Sequence, residues 1–176
     1  VWEQGIKNSL GQLEISGGNK GIVTFDIKVK SAEVDIHSSF GGVIDSASWY
    51  LINALTSLRN KDGRIKVEGL YEQVITPNQR ELALVERYAQ RSPEEVEAIY
   101  GLKLPLLQAE KKDFLNRIFF EPSFNIEGIT SGYQGQGVKT ILPAEASAKV
   151  EVRLVPGLEP HRVLELILSL IHISEP

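Results

Sequence analysis

Val23, Phe25, Ile27 and Val29 alternate with Thr24, Asp26, Lys28 and Lys30. A period of two puts the apolar set on one face of a half-buried strand. Ala146, Ala148, Val150, Val152 and Leu154 alternate in the same way with Ser147, Lys149, Glu151 and Arg153, and Phe124 to Ile129 is a shorter candidate strand. Elsewhere the period lengthens. Ile44, Ala47, Leu51, Ala54, Leu55 and Leu58 recur at spacings of three and four, which predicts one apolar stripe on a helix. After Pro160, Val163, Leu164 and Ile167 share a helical face. The order strand, helix, strand, strand, helix predicts an α+β fold, a ferredoxin-like β-α-β-β-α-β sandwich short of its closing strand. The sequence stops where that strand is expected.

Residues from about 71 to 121 interrupt this pattern and read as a helical insertion. Thr76-Pro77-Asn78-Gln79 and Ser92-Pro93-Glu94-Glu95 each place a hydroxyl cap before proline, with an amide or acid at the third position. Tyr100-Gly101 suits a helix stop. The chain contains no methionine, so it is expected to be a piece of a longer protein. Its last nine residues, 168–176, resemble the translation of a sequencing adapter and are expected to be a non-native tail. A native amphipathic helix end is the alternative.

Composition narrows the function classes. Of the 176 residues, 42% are hydrophobic and 24% charged, as in ordinary globular domains. A net charge of −4 argues against a nucleic-acid partner, which would usually meet a basic face. No apolar run approaches the roughly 20 residues of a membrane span, so no membrane partner is expected. Without cysteine there is neither a disulfide framework nor a thiolate metal site in these residues. A cytoplasmic location fits that composition.

Three histidines are available, His37, His161 and His172, and no two have metal-ligand spacing. Any catalytic reading must therefore borrow groups from elsewhere. Asp35 to Gly42 leaves a strand, presents His37 and passes two glycines into the first helix. That histidine is either a structural loop residue or a donor presented to a ligand. The glycine-rich stretch from Gly132 to Thr140 is not a phosphate loop. Val138 separates Gly137 from Lys139, and Pro143 follows in an extended stretch where a phosphate loop would start a helix. Arg153 on the polar face of its strand is either solvent-facing or a fork for a substrate carboxylate.

Three motifs in register carry a family resemblance. They are Asp35-x-His37-Ser38-x-x-Gly41-Gly42, Gly132-x-x-Gly135-x-Gly137-x-Lys139-Thr140-x-x-Pro143 and Arg153-Leu154-Val155-Pro156. Together they resemble the zinc peptidase and deacylase family that includes carnosinase-type dipeptidases, acetylornithine deacetylase, succinyl-diaminopimelate desuccinylase and carboxypeptidase G. The resemblance spans roughly residues 1 to 167. It implies that residues 1–19 close a split catalytic domain and that residues 20–167 form its ferredoxin-like lid and dimerisation domain. It further implies a two-zinc hydrolase of dipeptides or N-acyl amino acids that works as a homodimer. In that family zinc activates water and a glutamate acts as base, both outside the lid. By the same match His37 is the oxyanion donor, reaching a partner subunit's site in dimers. Thr140 and Arg153 fall at substrate-binding positions, and Glu3 is a candidate metal ligand.

Two alternatives stay open. One is a standalone ferredoxin-like module for regulation or dimerisation, without catalysis. The other is a relative that has lost its metal ligands and retains binding only.

Overall fold

The computed structural model describes residues 6–7, 11, 13–14, 18–88, 92–107 and 110–174. Two short strands, β1 (Ile6–Lys7) and β2 (Leu13–Glu14), pair with each other. Then follow β3 (Gly21–Lys30), β4 (Ile36–His37), α1 (Ala47–Ser57), α2 (Gln79–Tyr88), α3 (Pro93–Tyr100) and α4 (Lys111–Phe120). The chain continues as β5 (Ser123–Ser131), β6 (Ile141–Leu142), β7 (Glu145–Leu154) and α5 (Pro160–Ser174).

The main sheet has the order β3-β7-β5. β7 lies antiparallel to both neighbours, from Gly21↔Leu154 to Lys30↔Glu145 on one side and from Ser123↔Arg153 to Ser131↔Ala146 on the other. β3 and β5 therefore run parallel with β7 between them, the split arrangement of a ferredoxin-like sandwich. Among the described residues β3 takes no second neighbour.

The expected alternation builds the core. Ala146, Ala148, Val150, Val152 and Leu154 are buried, together with Ala47, Leu51 and Leu55 of α1 and Val163 and Ile167 of α5. Ser147, Lys149, Glu151 and Arg153 alternate with them and occupy the opposite face of the sheet.

Three details depart from the sequence expectations. Ile44 precedes α1 and is exposed, because Ser46, in an extended conformation, begins the helix. The first insertion helix starts at Gln79, capped by Asn78 rather than Thr76. Asn78 Oδ1 accepts from Glu81 N at 3.0 Å and Glu81 Oε2 accepts from Asn78 N at 2.8 Å. A charged acceptor closing this box makes it stronger than one closed by Gln79. Third, α4 has no sequence start signal, since its preceding Glu110 makes no side-chain cap hydrogen bond. Ser92 and Glu95 do form the expected capping box, and Gly101 ends that helix at φ +57°. α5 continues to Ser174, with Leu170 and Ile171 packed on the core, so most of the suspected tail is helical.

The insertion is fastened at its two roots. Glu121 binds Arg64 through both carboxylate oxygens, and Arg117 reaches Asp62. Lys20, just before β3, donates to the carbonyls of Arg117 (3.3 Å) and Glu121 (2.5 Å), closing the C-terminal end of α4. Burial of the Lys20 ammonium pushes its pKa below the ordinary 10.5 against the opposing pull of Glu121; nearby Arg153 lowers it further.

Candidate functional site

His37 ends a two-residue strand. β4 pairs with β6 through Ile36↔Leu142 and His37↔Ile141, and Ser38 N donates to Thr140 O at 3.0 Å. Around this ladder Asp35 is tied down: its Oδ1 accepts from Ala144 N at 3.1 Å, and Lys139 lies 3.7 Å away. Ala47 N donates to Pro143 O, so the start of α1 is anchored to the same segment. The first two sequence motifs, about a hundred residues apart, thus form one cluster at the end of the sheet.

The imidazole of His37 is exposed, and one of its nitrogens is committed. Ser39 N donates to Nδ1 at 3.2 Å, and the Ser39 hydroxyl lies 2.9 Å from the same atom. A backbone N–H can only donate, so Nδ1 accepts and the neutral ring carries its proton on Nε2. His37 consequently presents an N–H donor outward, on the strand whose next residue, Ser38, binds the Thr140 carbonyl. Beside the cluster lies an open polar cleft of about 710 Å³, with Val34, Asp35, Ser131, Gly132 and Pro143 in its wall.

Arg153 is not part of this cluster. It pairs with Ile22 of β3 and Ser123 of β5, at the end of the sheet where the chain enters β3. From Ala144, beside the His37 cluster, to Arg153 is nine strand residues, about 30 Å at ~3.3 Å per residue. The structure therefore joins His37 with Thr140 and separates both from Arg153. Glu3 lies outside the described residues. Among the described residues no group of three metal-ligating side chains exists, so these residues do not fit a metal centre.

Two residues near Arg153 were not flagged by the sequence pattern. Glu151 is the one buried charged residue among the described residues, although it lies on the face of the sheet opposite the core. Its Oε1 accepts from Arg153 Nε at 3.0 Å and from Asn125 Nδ2 at 2.8 Å. The Asn125 amide, followed by Arg153, holds the carboxyl below its ordinary pKa of 4.5. The two-residue spacing of Glu151 and Arg153 on an alternating strand was a usable signal. Asn125 gave none.

A family model described as a peptidase dimerisation domain matches residues 17–172. The chain is 30% identical over 151 residues to the Cys-Gly metallodipeptidase DUG1 of Saccharomyces cerevisiae, covering 85% of this chain and 31% of that protein. It is 30% identical over 144 residues to the Beta-Ala-His dipeptidase of Rattus norvegicus, covering 81% and 29%. Among solved structures, an M20 family metallo-carboxypeptidase from Sulfolobus solfataricus superposes with a TM-score of 0.87 at 29% identity, covering 95% of this chain and 43% of that one. The chain spans about a third of the length of the curated relatives it matches.

Proposed function

The chain belongs to the M20 peptidase dimerisation domain family, and from that premise we propose that it is the lid of a metal-dependent hydrolase of dipeptides or N-acyl amino acids. The metallodipeptidase relatives support a hydrolase as the parent. In this reading residues 20–167 are the lid, and residues 1–19 are the end of the catalytic module. That module holds the metal, taken as two zinc ions. Glu3 is the one ligand this chain would contribute.

The observation that carries the reading is the Ser39 N–H on His37 Nδ1, which leaves Nε2 as the ring nitrogen turned outward to donate. Attack on an amide leaves negative charge on the former carbonyl oxygen. Nε2–H of His37 donates to that oxygen, and a prepositioned donor there is worth roughly 3 kcal/mol, or 10²–10³ in rate. Thr140, whose carbonyl holds Ser38 N beside His37, is the neighbouring substrate-binding residue in this reading. Arg153 pairs with the substrate carboxylate, a charge-assisted contact worth about 1.5–3 kcal/mol. Because His37 and Arg153 stand at opposite ends of one sheet, each active site takes the histidine from one copy and the arginine from another.

Pairing of two copies has its own support. Ser48 Oγ lies 2.7 Å from Ser131 Oγ, so the side of α1 bearing Ser48 and, one turn on, Ile52 faces β5. Ile52, Ile126 and Ile129 are all exposed there, beside a strand edge with no partner among the described residues. Uncovered apolar surface next to an open edge is where a second copy would add its own strand.

The test is His37→Ala in the intact parent enzyme. Turnover should fall by about 10²–10³ with bound metal retained; undiminished kcat would contradict the assigned role. The 176-residue chain alone should not hydrolyse dipeptides, and metal-dependent cleavage by the purified chain would refute that.

A further inference from the structure

Arg153 does not stand on the sheet as a free fork. Its Nε is occupied by Glu151 Oε1 at 3.0 Å, whereas its Nη1 and Nη2 make no hydrogen bond to the described residues. The same Oε1 is gripped from the other side by Asn125 Nδ2 at 2.8 Å, so the carboxylate cannot swing with the arginine. Asn125 and Glu151 are directly paired across β5 and β7, and Ser123 and Arg153 are the next pair on the same face of the sheet. Glu151 is 6% exposed while the Arg153 side chain is 45% exposed. The anchor is covered and the guanidinium end is open.

We propose that Glu151, held by Asn125, is a positioning residue that aims the terminal Nη1–Nη2 edge of Arg153 at a substrate carboxylate. This rests on the reading of Arg153 given above and adds how its specificity is set. An arginine has one carboxylate-matching edge at its two terminal nitrogens and another that includes Nε. By taking Nε, Glu151 leaves only the terminal edge, and it removes most of the rotamer freedom that a flexible arginine would lose on binding. The ligand class follows: a planar carboxylate, as at the free C-terminus of a dipeptide, in preference to its uncharged amide.

The test uses the parent enzyme with Ala-Leu and Ala-Leu amide as probes, comparing kcat/KM for the two. Arg153→Ala should reduce the preference for the free acid by about tenfold or more. Glu151→Ala should reduce it on the same order through KM, with kcat within about twofold, and the double variant should lose nothing further. Glu151→Gln, which retains an acceptor for Nε, should recover most of the preference. If Arg153→Ala erases the preference but Glu151→Ala leaves it intact, the positioning role is wrong and the function of Arg153 stands. If Arg153→Ala leaves the preference intact, both readings fall. Should Glu151→Ala not fold, Asn125→Ala loosens the same anchor and should raise KM about threefold; an unchanged KM would overturn the proposal. The Arg153 Nε–H resonance of the 176-residue chain gives a readout independent of catalysis. It should be protected from exchange in the native chain and lose that protection in Glu151→Ala.

Discussion

Mixing two impaired variants offers a sharp test of the separation between His37 and Arg153. The perturbation is a pair of parent enzymes, one carrying His37→Ala and the other Arg153→Ala. The first loses its oxyanion donor and should retain about 0.1–1% activity. The second loses a charge-assisted carboxylate contact of about 1.5–3 kcal/mol, or ~10–150-fold in kcat/KM. Co-expressed in equal amounts, the two subunits should form heterodimers in about half of all dimers, as expected for a symmetric pair. In each heterodimer one site receives the unaltered histidine of one copy and the unaltered arginine of the other. The second site receives both lesions.

One site in four is then intact, so mixed enzyme should recover about a quarter of the native kcat/KM. The assay is dipeptide hydrolysis at low substrate, on co-expressed protein and on each variant alone. The prediction depends on the structure in a specific way. If both residues reached one site from the same chain, every heterodimer site would carry one lesion and mixing would restore nothing. Mixed enzyme no more active than the better single variant would therefore refute the reasoning, including the ~30 Å separation along β7 on which it rests.

The core elements were legible because their periods were clean. Val23–Val29 and Ala146–Leu154 alternate without a break, and Ala47, Leu51 and Leu55 recur at helical spacing; the structure buries the last two sets and Ile27, and packs Val23, Phe25 and Val29 partly buried against them. Boundaries were less legible. Thr76 and Asn78 both offered caps, and the carboxylate of Glu81 decided between them. α4 begins without a capping side chain, so nothing local announced it. The meeting of the His37 strand with the Thr140 segment was not legible, because it is a two-residue ladder and one backbone hydrogen bond closing over about a hundred residues. Loop closure of that length leaves no local trace in sequence. The Arg153 anchor was half legible. Glu151 shares its face by simple alternation, whereas Asn125 joins it only through the strand order and the register of β5 before its slip at Ile126 and Gly128.

The remaining predictions concern the chain itself. Leu51 is 1% exposed at the centre of the core, so Leu51→Ala should cost about 2–5 kcal/mol in urea unfolding; a loss below about 1 kcal/mol would contradict the packing. Gly157 adopts φ +97° and a Cβ there would overlap the Gln73 carbonyl oxygen, so Gly157→Ala should cost about 1–3 kcal/mol in backbone strain before that overlap is relieved. A variant as stable as the native chain would refute this. Acid should act through Glu151, whose carboxyl is held below its ordinary 4.5 first by Asn125 and then by Arg153, with Glu127 on β5 also within hydrogen-bonding reach. A group with a depressed folded pKa binds fewer protons folded than unfolded, so its stabilisation is complete above about pH 4.5. The stabilisation fades as pH falls through the lower folded value. The stability difference between the native chain and Glu151→Gln should thus stay constant from pH 8 to 5 and shrink on further acidification. A difference that grew below pH 4.5 would mean that folding favours the protonated acid, and then Glu151 could not be the anion that anchors Arg153.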